Sequence, residues 1–123
     1  MEREGIIFDF RVYITSIFYL KGVKKNMGKK ESEFQRNLID EIKERFPGSI
    51  VIKTDPGFIQ GIPDLIILFN NKWAMLECKK NKTAHHQPNQ DYYVDLLNKL
   101  SFSAFIYPEN KESILNGLEK ALY

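Results

Sequence analysis

Three side chains carry the chemistry this sequence can offer. Asp64, Glu77 and Lys79 stand at the ends of two apolar runs, Asp64 to Phe69 (DLIILF) and Lys72 to Lys79 (KWAMLECK), which are separated by Asn70-Asn71. Asparagine tolerates positive φ, so the Asn pair suits a two-residue hairpin turn. In that hairpin, residues whose numbers sum to 141 face one another, and Asp64 lies opposite Glu77. Directly opposed residues share a sheet face with Cβ atoms about 4.5–5.5 Å apart. Lys79, two residues further along its strand, emerges on the same face. Two opposed carboxylates repel unless a cation lies between them. An oxygen-only donor set at this spacing suits a hard cation such as Mg²⁺, with Mn²⁺ able to replace it. The backbone carbonyl of Cys78 could add a further ligand. A lysine beside that cation can orient or deprotonate a water and offset the charge that builds on a phosphorus centre under attack. The constellation is that of a phosphodiester hydrolase.

The wording around these residues is that of a known group. Gly61-Ile62-Pro63-Asp64, followed after twelve residues by Glu77-Cys78-Lys79, resembles the PD-(D/E)xK nuclease superfamily. GIPDLIIL…ECKK is most similar to its stand-alone VRR-NUC branch and to phage Holliday-junction-resolvase-like enzymes. The resemblance runs from Glu31 to about Asn110. It implies a restriction-endonuclease-like core and a metal-dependent DNA endonuclease with Asp64, Glu77 and Lys79 as catalytic residues. It further implies that Glu33, in the first helix, completes the metal site directly or through water, with Glu31 as the alternative. Gln90 takes the place of a glutamine that follows the Glu-x-Lys strand, with Gln87 as the competing match. A homodimer acting on branched or distorted DNA is the implied working unit: one domain offers one metal centre, whereas a junction needs two incisions. Two-fold symmetry supplies the second site without new sequence. The chain departs from the best-known members in lacking a long basic tail.

The elements that must position these residues are legible in outline. Ser32 stands as the N-cap of a helix whose apolar positions are Phe34, Leu38, Ile39, Ile42 and Phe46, and Pro47-Gly48 ends it. Ser49 to Thr54 reads as a short strand, followed by a turn at Asp55-Pro56-Gly57. After the hairpin, Gln87-Pro88 opens a second helix with proline at its first position and a stripe of Tyr92, Tyr93, Leu96, Leu97 and Leu100. Ser103 to Tyr107 forms a fourth strand, Pro108 closes it, and Asn110 caps a last helix with Ile114, Leu118 and Leu122. The order is α-β-β-β-α-β-α, an α/β (α+β) mixed sheet with flanking helices.

Composition bounds the rest. At 123 residues, with 43% hydrophobic and 28% charged side chains, the chain holds one packed core. A single cysteine, Cys78, forms no internal disulfide and lacks zinc-site partners, which points to a reducing cytosol, that of the host if the chain is phage-encoded. The net charge of +2 says little about nucleic acid. Residues 1–26 hold Arg3, Arg11, Lys21, Lys24 and Lys25 against Glu2, Glu4 and Asp9, which accounts for the whole excess. Positive potential must therefore be local, and the loop with Lys80, Lys82, His85, His86 and Gln87 is the candidate DNA contact.

The run from Ile6 to Leu20 is apolar but contains Asp9 and Arg11. It is shorter than the ~20 residues a membrane span needs, and it is preceded by acids that do not suit a signal peptide. No membrane partner is expected. Alternation at Phe8, Phe10, Val12 and Ile14 would suit an added strand; equally, residues 1–26 read as an extension and 27–123 as the nuclease domain. Two other functions share the fold class: a non-catalytic DNA-binding or assembly module, which predicts a damaged acidic pair, and an RNA-processing nuclease, which needs 2′-hydroxyl contacts.

Overall fold

The computed structural model describes residues 28–123. The N-terminal expectations, a strand over Phe8 to Ile14 and an extension ending at residue 26, lie outside the described residues. The elements are α1 (Lys29–Arg45), β1 (Ile50–Lys53), β2 (Leu65–Phe69), β3 (Lys72–Cys78), α2 (Gln90–Leu100), β4 (Phe102–Ile106) and α3 (Lys111–Leu122). Order and type follow the sequence reading. The strands form one sheet in the order β1-β2-β3-β4. The first three are antiparallel neighbours, and β4 joins β3 in parallel, with α2 as the crossover.

The hairpin is as its two asparagines dictate. Asn70 and Asn71 both take left-handed backbone, with φ of 53° and 62°, the combination that turns a two-residue loop with the twist of its strands. Pairing runs from Phe69↔Lys72 to Leu65↔Leu76, the register in which Asp64 and Glu77 come next.

Alternation along the strands then sorts the two faces. Val51, Leu65, Ile67, Ala74, Leu76, Cys78 and Ile106 join Leu38, Ile39 and Ile42 of α1, Phe46 at its C-cap, and Leu115, Leu118 and Leu122 of α3 in one core. The other face carries Met75, Ser103 and Glu77, all buried, beneath α2, which packs on β3 and β4. Arg45 ties α1 to α3 through Glu112 (2.7 Å) and Glu119 (3.4 Å), and pairs with Glu41 of its own helix (3.5 Å). The hydrogen bond with Glu112, foremost, raises the pKa of its guanidinium above the ordinary value. No helix among the described residues is long and apolar enough to cross a membrane.

Two helix starts differ from expectation, and one expected cap bonds differently. Helix α1 starts one turn early, capped at Gly28, and the amide of Ser32 already donates to the Gly28 carbonyl (2.9 Å). Lys29, Lys30 and Glu31 are good helix formers and extend it past the serine. Helix α2 starts at Gln90, not at Pro88, because Asn89 is left-handed (φ 70°) and breaks the helical path. Its buried residues are Gln90 and Val94, while Tyr92 and Leu100 are 61% and 66% exposed. Asn110 holds the cap position of α3, but its side chain turns back on the strand end, accepting from the Tyr107 amide and donating to the Phe105 carbonyl.

Candidate active site

Asp64 precedes β2 and is 5% exposed. Two contacts from Thr54 hold its backbone segment: the Thr54 amide donates to the Asp64 carbonyl (2.9 Å) and the Thr54 hydroxyl to the Pro63 carbonyl (2.7 Å). Its carboxylate Oδ2 crosses to β3 and accepts from the Cys78 amide at 2.8 Å. Glu77, on β3, is 1% exposed. Lys79 lies one residue past β3, with its amide still donating to the Ile106 carbonyl (2.9 Å). The register thus brings Asp64, Glu77 and Lys79 to one end of the sheet, on the face that α2 covers.

The first residue of α2 joins the two charges. Lys79 Nζ donates to Gln90 Oε1 (2.7 Å) and to the His85 carbonyl (2.9 Å), and lies 3.8 Å from Glu77 Oε2. Gln90 Nε2 donates to Glu77 Oε2 (2.9 Å). An ammonium only donates and a carboxylate only accepts, so their positions fix which end of the amide faces which. The Gln87 amide adds a second donor to Gln90 Oε1 (2.8 Å). Buried lysine and glutamate are rare unless paired and hydrogen-bonded, and here a neutral glutamine completes the pairing.

The other sequence candidates fall in different places. Glu33, which the resemblance put at the metal site, is exposed. At 100° per residue it lies about 200° around α1 from the buried Gln35; Glu31, four residues before Gln35 and half-buried, shares the inner side. Lys80, Lys82, His85 and Gln87 are exposed, and the His85 carbonyl and Gln87 amide hold the centre rather than face outward. The ring of His86 is engaged: it stacks on Phe105 (centroids 4.0 Å, 14° between planes) and its Nδ1 lies 2.8 Å from Asp91 Oδ1.

Thr54 and Asn89 went unread in the sequence. Asn89 matters through Gly61 (φ +91°), where an added Cβ would sit 2.6 Å from Asn89 Cβ and 2.7 Å from its carbonyl carbon. Only a glycine lets the loop before Asp64 close on the start of α2. Neither Thr54 nor Asn89 belongs to a motif, and the glycine was the one available signal.

The donor set can be tested against a metal. Among the described residues no group of three or more His, Cys, Asp or Glu gathers at ligating positions. The Cys78 side chain lies in the core on the opposite sheet face, and the nearby His86 ring is stacked. What remains is oxygen from Asp64, Glu77 and backbone, which fits a hard cation that keeps several waters and takes substrate oxygens.

No protein-family model matches this sequence, and no curated protein does. Among solved structures it is similar to one described as a VRR_NUC domain protein, with a TM-score of 0.59 and 20% identity over 78% of this chain and 93% of that one. The chain has the mixed four-stranded, three-helix fold of that structure, the restriction-endonuclease-like arrangement.

Proposed function

We propose that the chain is a Mg²⁺-dependent endonuclease that hydrolyses DNA phosphodiester bonds, selects branched or distorted DNA, and works as a homodimer. The observation that carries the reading is Lys79. Its ammonium is buried, fixed by Gln90 Oε1 and the His85 carbonyl, and lies 3.8 Å from Glu77, with Asp64 at the same end of the sheet. A surface lysine needs no such cradle; a lysine that must act on a phosphate does. The similar solved structure, by its name a VRR_NUC domain protein, supports the same reading.

Asp64 and Glu77 would hold the cation, with the Cys78 carbonyl as a further oxygen. Bound there, it would polarise the phosphate and make its water more acidic. Lys79 sets a positive charge beside the scissile phosphate and donates a hydrogen bond to the attacking water or to a phosphate oxygen, where charge accumulates as the P–O bond forms. Gln90 acts as a positioning residue, holding Lys79 and Glu77 in fixed relation. Lys80 and Lys82 contact backbone phosphates and set register without reading sequence. The intact Asp64, Glu77 and Lys79 cluster disfavours a non-catalytic binding module on this fold.

A panel of linear duplex, flap, splayed and four-way DNA, with RNA of the same sequence, tests the reading. Cleavage with Mg²⁺ of branched DNA above linear duplex is expected, with mapped incisions on opposing strands and light scattering that reports a dimer. A folded chain that cuts none of them refutes the activity. A monomer nicking linear duplex as fast as a junction refutes the selectivity and the dimer.

A further inference from the structure

The segment between β1 and β2 is a short arm pinned at three points. Its stem closes through Thr54 on Pro63 and Asp64. Its tip is ordered by the Gly57 amide donating to Asp55 Oδ1 (2.8 Å) and the Phe58 amide donating to the Asp55 carbonyl (3.1 Å). Its third anchor is Gly61, seated on Asn89, the residue before Gln90. The arm therefore starts from one carboxylate of the site and leans on the helix start that orients the other.

At its tip Phe58 is 84% exposed, more than any other large apolar side chain among the described residues. Scattered exposed apolar residues are ordinary; a phenylalanine held outward on a braced arm next to buried charges is a different case. The ring offers a flat π surface and no hydrogen-bonding atom. Its reach is short: three residues of chain place it within about 10 Å of Gly61. Tyr92, 61% exposed on the first turn of α2, stands just past Asn89. Exposed Lys80 and Lys82 lie beyond the catalytic strand.

We propose that Phe58 is a base-stacking residue: it takes an unpaired nucleobase of the substrate strand beside the phosphate addressed by Asp64, Glu77 and Lys79. The proposal rests on the nuclease reading and deepens it. Every base has a π face, so such stacking is tolerant of sequence. Bases inside a continuous duplex are already stacked and would have to be extruded at a cost of a few kcal/mol. The ring thus favours nucleotides that a branch or distortion has already freed. This gives a nearly neutral domain a means of selecting DNA structure that its charge cannot supply.

The test uses the full chain and its Phe58→Ala, Phe58→Leu and Phe58→Trp variants. Binding is measured, in EDTA and again in Ca²⁺, to splayed DNA carrying 2-aminopurine in the unpaired arm and to a paired duplex of the same sequence. Stacking on one base corresponds to about 5- to 150-fold in affinity. Phe58→Ala and Phe58→Leu should lose about that factor on the splayed DNA and remain within about twofold on duplex, while Phe58→Trp keeps parental affinity and fluorescence quenching. Leucine preserves apolar bulk without a π face, so the Leu/Trp contrast separates stacking from a folding defect. Equal affinity of parent and both stacking-null variants for splayed DNA overturns the proposal, as does a change in oligomeric state with binding unaltered, which would make Phe58 a protein contact. A parent that binds and cuts DNA but is indifferent to these substitutions defeats this inference alone. A parent that binds no DNA defeats the nuclease reading with it.

Discussion

Two glycines with nearly the same φ allow the closing of the β1–β2 arm to be measured. Gly48 has φ +89° with open space where a Cβ would go; Gly61 has φ +91° with Asn89 in that space. Gly48→Ala therefore meets only the backbone penalty of a left-handed residue, about 1–2 kcal/mol, partly offset by about 0.4–1 kcal/mol from a less disordered unfolded chain. Gly61→Ala meets the same penalty and a collision. Its Cβ would lie 2.6, 2.7 and 2.9 Å from Asn89 Cβ, C and O, where about 3.5–4.0 Å is comfortable. Two of the three atoms are backbone and cannot rotate away, so a further cost of about 1–3 kcal/mol is expected.

The totals are roughly 1 kcal/mol for Gly48→Ala and 2–4 kcal/mol for Gly61→Ala. In a domain of this size each kcal/mol lowers Tm by about 4–8 °C, so thermal unfolding separates the two clearly. Cleavage should separate them as well. An Asn89 pushed aside carries Gln90 with it, and Gln90 holds Lys79 at 2.7 Å and Glu77 at 2.9 Å. Gly61→Ala should therefore lose activity even at temperatures where it is folded, while Gly48→Ala keeps it. Equal Tm losses, or full activity in folded Gly61→Ala, would refute the view that this contact sets the site.

The remaining predictions concern chemistry and framework. Asp64→Asn, Glu77→Gln and Lys79→Met should each lower cleavage at least about 10²-fold with the circular dichroism of the parent; parental rates in two of the three would place the centre elsewhere. EDTA should abolish cleavage, Mg²⁺ or Mn²⁺ restore it, and Ca²⁺ support binding with little cutting, because Ca²⁺ holds ligands farther and more loosely; gel shifts beside cleavage assays distinguish these. Arg45→Met should cost about 1 kcal/mol, since its partners Glu112, Glu119 and Glu41 are 65%, 44% and 27% exposed and solvent discounts such pairs. Because the Arg45 pKa is raised above its ordinary value, the stability it contributes is fully present below that ordinary value, and the cost should be flat, on the arginine's account, across neutral pH. A loss above about 3 kcal/mol would show that the network is more than surface pairing.

What could be read from the sequence was whatever local chemistry dictates. Asn70-Asn71 fixed the turn because few residue pairs accept two positive φ values, and the turn fixed the register that aligns Asp64 with Glu77. Helix phase was less secure. Phe34 packs against the core as its spacing implies, but the buried Gln35 shows that the inner face of α1 also takes in a polar position. A polar residue on the inner face gives hydropathy nothing to detect. The same holds for α2, where Gln90 is buried: of the expected stripe Tyr93, Leu96 and Leu97 are half-buried, while Tyr92 and Leu100 are exposed.

The misplaced start of α2 and the unread backbone supports of the site have one cause. Lys79 needs acceptors once it is buried, and it finds a side-chain carbonyl and the main-chain carbonyl of His85. Gln90 reaches its place because Asn89 turns left-handed and the helix starts one residue later; with Pro88 at the first helical position the backbone leading to Gln90 would follow a different path. Asn89 in turn lies under Gly61, three residues before Asp64. The non-helical residue is thus part of how two distant segments meet: the arm that carries the first carboxylate rests on the turn that positions the glutamine bridging lysine and the second. Acids and a lysine in a motif announce the charges of such a site. The neutral groups that hold those charges together depend on backbone geometry: Gln90 was legible through the resemblance alone, and the roles of Asn89 and the His85 carbonyl only in the folded chain.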